Sequence, residues 1–456
     1  MTVFWNYDDL TMSDTLLMPT EPCTNTADES AALLAQPEVV SDLPAALQNA
    51  RSEAWSTFES LPMPRRTDET WRFTNLKSID LTAFVKPLPV SEDVQEQLIE
   101  RSVGQGEIAG RMVFANDQLL KREILSEELK AKGVIWEPLE KAATDHAELF
   151  RKHFMAQDVI LGGQKFAALH EANVRTGTFL YVPKNVEIAL PLEVFHWLHG
   201  ANGSTFPHTL LIAGANSKIT LIDYFESAEE VPGFACGVND LYLEPGAKLT
   251  YVCVQKWSRQ TQAFQINNTT VDRDASATSL VLNLGSKYAR SESVSRLAGA
   301  GGRSDMLSVS VADGEQENDQ RTFQIHQAPN ATSDLLYKNS LDGHSRTTFS
   351  GLIRVEPGAH RTDAYQKVRN LLLSDDAEAN SAPGLEIEAN DVRCTHGATS
   401  GQIEQEELFY LLSRGISRKQ AQKLIVLGFL NEVFERLGDE TIAASLKQKI
   451  EARFTR

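Results

Sequence analysis

The 456-residue sequence is short of the features that announce most chemistries. Its four cysteines, Cys23, Cys236, Cys253 and Cys394, are scattered, and no CxxC unit occurs. That spacing excludes a disulfide framework and a self-contained zinc or cluster site, and it suits a compartment where thiols stay reduced. Positive charge is scarce as well. Against 62 Asp and Glu stand 44 Lys and Arg, a formal charge of −18 with no basic stripe. Proteins that wrap phosphate backbones show the opposite balance, so neither nucleic acid nor an anionic membrane is expected as a partner. No run reaches the roughly 20 apolar residues that span a bilayer. The opening MTVFWNYDDLTMSDTLL has acidic residues where a signal peptide needs basic ones, and the expected location is the cytoplasm.

Nucleotide and hydrolase signatures are also missing. Gly162-Gly163-Gln164-Lys165 lacks the rest of a P-loop, and Gly299-Ala300-Gly301-Gly302 falls short of GxGxxG. There is no GxSxG elbow for a serine nucleophile. The chain is therefore expected to bind no nucleotide and to have no ATPase activity of its own.

What is present is the texture of a globular protein in several parts. Residues 1–35 mix Asp, Thr, Ser and Pro without periodicity and predict a loosely ordered arm. Residues 36–164 predict a helical and small α/β region. Within it Leu43, Leu47, Ala50, Ala54, Phe58 and Leu61 form one helical face that stops at Pro62 and Pro64. The segment TDETWRFTNLKSIDL, with Trp71 and Phe73, predicts a short turn or helix.

From 165 to 400 the signals are those of short strands: Thr178–Val182, Val186–Leu190, Thr209–Ile212, Lys218–Ile222, Asp240–Leu243 and Lys248–Val254. Related turn–strand units read VPKNVEIAL, IAGANSKITLI, LEPGAKLTYV and, later, VEPGAHRTDA. The first three recur at about 30 residues, a period that marks stacked coils. A mainly β fold with a parallel β-helix core fits this period, and a β-sandwich is the competing architecture.

Residues 401–456 turn helical. Ser417 and Gln420 make a capping box, Gly438 suits a helix stop and Asp439 a new cap. Ala421, Leu424, Ile425, Phe429, Val433, Phe434 and Leu437 form a stripe wider than a small helical pair can hide. It either docks on the β-domain or meets a partner.

The clearest chemical cluster is DVRCTHGATSGQ, where Cys394 and His396 are two apart and share one face of a strand. A thiolate and an imidazole side by side can hold a soft or borderline metal or relay a proton. A buried cysteine beside a hydrogen-bonded histidine is the bland alternative, and two donors do not complete a site. His196 and His199 have the spacing of one helical face but lack the acid of HExxH. His326, His344 and His360 read as surface residues or turn hydrogen-bonders. Asp375-Asp376 reads as a solvated turn, with a calcium-gathering polysaccharide lyase as the alternative.

The run LEIEANDVRCTHGATSGQIEQEELFYLLSRGISRKQAQKLIVLGF, residues 385–429, resembles the C-terminal signature of the SufB/SufD family of iron–sulfur cluster assembly proteins. Residues 326–387 continue the match, and LPMPRRTDETWRFTNL resembles the family's N-terminal element. The resemblance implies a right-handed parallel β-helix flanked by an N-terminal helical or α/β region and a C-terminal helical region. It implies partners too: a SufB-like chain met through the β-helix and a SufC-like ATPase docked on the C-terminal helices, with a homodimer possible in isolation.

Two positions separate the branches of the family. SufB resembles this chain there but has Asn-Cys-Gly at Asn380-Ser381-Ala382 and His-Glu-Ala-Thr at His396-Gly397-Ala398-Thr399. Lacking that thiol and carboxylate, the chain is similar to the SufD branch. The resemblance carries over Cys394 and His396 as ligands, at the SufB interface, for iron or a transient cluster shared with SufB. It implies a non-catalytic subunit. A stand-alone β-helix carbohydrate enzyme and a SufB-like scaffold are the alternatives, the latter disfavoured by Ser381.

Overall fold

The computed structural model describes residues 32–104 and 106–454, so most of the arm expected over 1–35 lies outside the described residues. The chain is mainly β, a parallel solenoid flanked by helices at both ends. Strands alternate between two sheets, one running along each side of the stack. In the first sheet successive strands begin at Lys218, Lys248, Ser276, Arg303, Thr332, Asp363 and Arg393, steps of 27 to 31 residues. The pairing is parallel and unbroken, so each coil hydrogen-bonds only to the coils above and below it.

One corner of every coil carries a left-handed residue: Asn216, Gly246, Asp274, Gly301, Asn330, Arg361 and Asp391, with φ between 56° and 74°. Gly, Asn and Asp tolerate this conformation best, which is why the recurring turn units are rich in them. The corners stack. Asn216 N donates to Pro245 O, Gly246 N to Arg273 O, Asp274 N to Ala300 O and Gly301 N to Pro329 O, at 2.8 to 3.1 Å. The 30-residue period of the sequence is this ladder. The expected strand Val186–Leu190 is reduced to one bridge, Glu187 with Lys218, because Pro191 has no N–H to continue the pairing.

Alternation along each strand sends one row inward and one outward. The interior of the early coils is mainly apolar, with Leu221, Leu249, Leu241, Ala263 and Val281 in one cluster, but it also buries Asp223, which accepts from Thr209 and Tyr251. In later coils it turns polar: Gln320 donates to Ser310 Oγ at 3.0 Å, and Asn339 Nδ2 to Asn370 Oδ1 at 2.8 Å. The outer face of the first sheet is covered by the C-terminal helices Arg418–Leu437 and Glu440–Arg453, whose Val426, Leu430, Phe434, Leu446 and Ile450 pack on Ile222, Val252, Leu280 and Leu307. Ser417 and Asp439 cap these helices and Gly438 ends the first at φ 74°, as the sequence predicts.

The outer face of the second sheet is covered by helices Ala45–Ser60 and Gln164–Asn173, through Trp55, Phe58, Phe166 and Leu169. The TDETWRFTNL segment is pinned there by a buried ionic knot. Arg290 bridges Glu292 at 2.7 Å and Asp319 at 2.6 Å, donates to the carbonyls of Thr70 and Leu161, and lies 3.7 Å from the Trp71 ring centroid. Arg321 also reaches Asp319, and Thr74 donates to it at 2.6 Å. Burial would raise the Asp319 carboxyl, but the two guanidiniums hold it below its usual range. Arg290→Ala leaves buried Glu292 without its cation and Asp319 with Arg321 alone, so the expected loss is about 3–5 kcal/mol, read by urea unfolding. Arg290→Lys should recover only a minor part, because an ammonium cannot reproduce the planar fork.

Candidate functional site

Cys394 and His396 lie on the strand Arg393–Gln402, the last of the first sheet. Among the described residues it pairs only with Asp363–Leu372, through Cys394 opposite Ala364 and His396 opposite Gln366. The second sheet ends at the same end of the stack on Glu378–Ile387, which among the described residues pairs only with Arg346–Val355 and places Ser381 opposite Phe349. Two ten-residue strands therefore present unpaired edges side by side.

Burial identifies the inward row. In Asp363–Leu372 the buried residues are Ala364, Gln366, Val368 and Asn370. Parallel register carries that row to Cys394, His396, Ala398 and Ser400, and the Phe349 row to Ser381. All of these side chains belong to the inner face, yet His396 and Ser400 are exposed because no coil is stacked above them. The mouth is drawn together by Asn370, whose Nδ2 donates to Ser400 Oγ at 3.0 Å in one sheet and Ser381 Oγ at 3.3 Å in the other. Ser381 and the Cys394/His396 pair thus open into one mouth.

Cys394 is half-buried against Ile353, Val355, Ala359 and Ala364. Burial, with Asp363 nearby, pushes its thiol up from the usual range, so it rests protonated and becomes a strong donor only when a cation displaces the proton. Beneath the mouth, Gln324 Oε1, Gln366 Oε1 and His326 Nδ1 are buried without a hydrogen-bond partner. Such atoms need water or another polar group. Among the described residues no three His, Cys, Asp or Glu side chains converge to hold a metal. Cys394 and His396 can supply two donors, and no third His, Cys, Asp or Glu joins them among the described residues.

The remaining sequence candidates fall elsewhere. His196 and His199 are not on a helix: His196 belongs to strand Leu192–Leu198 and His199 follows it. Their spacing of three then sends the side chains to opposite faces. His196 is stacked between Phe114 and Phe225, at 5.2 and 5.1 Å between centroids, and burial pushes it down to about 3. His199 bonds Glu229 at 2.6 Å. His326 is an interior residue with Nε2 on Ser333 Oγ at 2.8 Å, whereas His344 and His360 are at the surface. Asp375 and Asp376 occupy an exposed turn.

Gln366 and Asn370 escaped the sequence reading. The alternation Ala364, Gln366, Val368, Asn370 was the available signal, but it mixes amides with apolar residues and so imitates a surface strand.

A folded-state histidine at about 3 stays neutral while its unfolded counterpart takes a proton below about 6.5. Its contribution is intact above that pH and drains as pH falls towards 3. His196→Phe keeps the stack and removes the titration. Between pH 7 and pH 5 it should lose less stability than the parent, by on the order of 1–2 kcal/mol, in paired urea titrations.

Comparison with known proteins covers nearly the whole chain. Residues 196–429 match the family model described as SUF system FeS cluster assembly, SufBD core domain, and residues 35–194 match that of the SufBD protein N-terminal region. The chain is 30% identical over 417 residues to the iron-sulfur cluster assembly protein SufD of Bacillus subtilis, covering 90% of this chain and 94% of that protein. It is 26% identical over 399 residues to an iron-sulfur cluster assembly SufBD family protein of Staphylococcus epidermidis, covering 85% of each. A Staphylococcus aureus relative of the same description matches at 26% over the same shares.

Proposed function

Because the chain belongs to the SufB/SufD family of iron–sulfur cluster assembly proteins and is SufD-like, we propose that it is the SufD-like subunit of a SufB–SufC–SufD complex, paired with a SufB-like chain at the open end of its solenoid. The observation that carries this reading is the pair of free edges on Glu378–Ile387 and Arg393–Gln402. Long, regular, unpaired edges invite strand addition. A partner with a matching end would continue the coils and close the mouth over His396.

Iron and sulfide are cargo in this reading. Cys394 and His396 contribute a thiol and an imidazole to iron or a transient cluster at the interface, and Ser381 contributes no thiolate. The partner chain supplies the remaining donors. The subunit itself is non-catalytic, resides in the cytoplasm and draws on ATP hydrolysed by a SufC-like partner. In isolation the same edges favour a second copy of this chain.

The C-terminal helices support the ATPase-docking part. Their inner stripe is spent on the solenoid, but Phe409 and Tyr410 on Gln405–Ser413 are 72% and 58% exposed, and Leu412 and Leu424 also face out. Glu404, Glu406 and Glu407 rim the groove beside Tyr410, Leu411 and Ile425. An apolar patch with an acidic rim fits a partner that offers an apolar anchor and basic flanks.

His396→Ala should lower the iron and sulfide bound by the co-expressed complex several-fold while leaving its subunit composition unchanged. Wild-type iron and sulfide content would remove His396 from the site. Phe409→Ser with Tyr410→Ser should release the ATPase on size-exclusion chromatography without moving the thermal midpoint of the isolated chain. Elution of the unmodified chain alone, despite co-expressed SufB and SufC, would overturn the whole reading.

A further inference from the structure

A cleft of about 320 Å³ lies between the end of the last helix, Glu440–Arg453, and the first sheet, on the flank of the solenoid. Five basic and three acidic side chains line it, an excess of two positive charges in a chain whose formal charge is −18. Each acid is engaged. Glu226 holds Lys256 at 3.2 Å, Glu229 receives His199 at 2.6 Å, and Glu230 receives the backbone N–H of Arg259 at 3.1 Å. Arg259 is itself paired with Asp313 at 2.7 Å.

Lys449 differs from its neighbours. It is half-buried, its Nζ lies 4.9 Å from the Tyr224 ring centroid, and among the described residues no carboxylate bonds it. The charges nearest to it are spent, Glu226 on Lys256 and Glu193 on Arg111 at 2.8 Å. Burial pushes the ammonium down from its usual range and outweighs the attraction of Glu226 and Glu193. Arg101 lines the same space, gives one N–H to Ala228 O at 3.1 Å, and stacks 4.5 Å from the Trp197 ring centroid. Its guanidinium has further N–H groups to offer. Ala228, Trp257 and Leu284 form an apolar wall.

We propose that this cleft is a binding site for a small organic anion, with Lys449 pairing a phosphate or carboxylate head, Arg101 adding donors, and the apolar wall receiving a short body. The volume stands at the small end of the range for small-molecule sites, which limits the ligand to a head group and a few carbons. The site is remote in sequence from Cys394 and His396 and independent of the assembly role.

Calorimetric titration of the full chain at constant ionic strength, separately with inorganic phosphate, malonate and citrate, tests it. Saturable one-site binding of at least one probe is expected, and preference among the three identifies the head group. Lys449→Met should weaken that binding about tenfold or more, the scale of one lost charge-assisted hydrogen bond, while Lys449→Arg keeps it. No saturable binding by any probe, or an unchanged affinity in folded Lys449→Met, overturns the site. Should Lys449→Met fail to fold by circular dichroism, Arg101→Gln decides: a several-fold weaker affinity supports the site and an unchanged one removes it.

Discussion

The solenoid rests on one constraint: the backbone hydrogen bonds of each coil are satisfied only by the coil above and the coil below. Parallel register over ten-residue strands meets it at the sides, and the stacked left-handed corners meet it at the turns. The repeat must hold its length within a few residues, because a slip of one would turn the interior row outward along a whole strand. The same constraint has no solution at the last coil. Arg393–Gln402 and Glu378–Ile387 keep unsatisfied edges however well the rest is packed, and the interface proposed there follows from the architecture rather than from any single residue.

The two outer faces are closed by different means. On the second sheet, aromatic packing is locked by the knot of Arg290, Asp319 and Arg321 beneath Trp71. On the first sheet, an apolar helix is edged by ion pairs that reach the late coils. Lys338 donates to Glu432 and to the Phe429 carbonyl, both at 2.6 Å, Lys367 lies 3.5 Å from Glu432, and Arg436 meets Asp334 at 2.7 Å. Lys367 sits on Asp363–Leu372, next to the strand that bears His396. The helices with the exposed Phe409 patch are thus tied, one strand away, to the open mouth.

The change of interior from apolar to polar along the stack fits this division. Early coils are mainly apolar inside and keep one polar network, around Asp223 and Asn239. Later coils keep amides, hydroxyls and His326 inside, several with unpartnered atoms just below the mouth. Unsatisfied buried polar groups cost free energy; they occur along the whole stack, from Thr178 and His208 to Gln366, and those near Cys394 and His396 mark polar, hydratable space at that end.

Much of this was legible in the residues. The 30-residue recurrence of Asn, Gly and Asp turns reads directly as stacked coils because left-handed corners tolerate few other residues. The capping box at Ser417, the stop at Gly438 and the cap at Asp439 are local, and local chemistry suffices for them. Cys394 and His396 share a face because strand alternation requires it. Other features were beyond a one-dimensional reading. The spacing of His196 and His199 fits a helix as well as a strand, and only burial between Phe114 and Phe225 decides. Ser381 and His396 are 15 residues apart on different sheets, and their sharing of one mouth depends on where the stack ends. The surroundings of Lys449, with the Tyr224 ring beneath it, are set by the sheet and not by its own helix. Periodicity and caps act between neighbours in the chain, so the sequence alone determined them. Mouths, clefts and open edges arise where distant segments meet or fail to meet, and only the tertiary structure decided those.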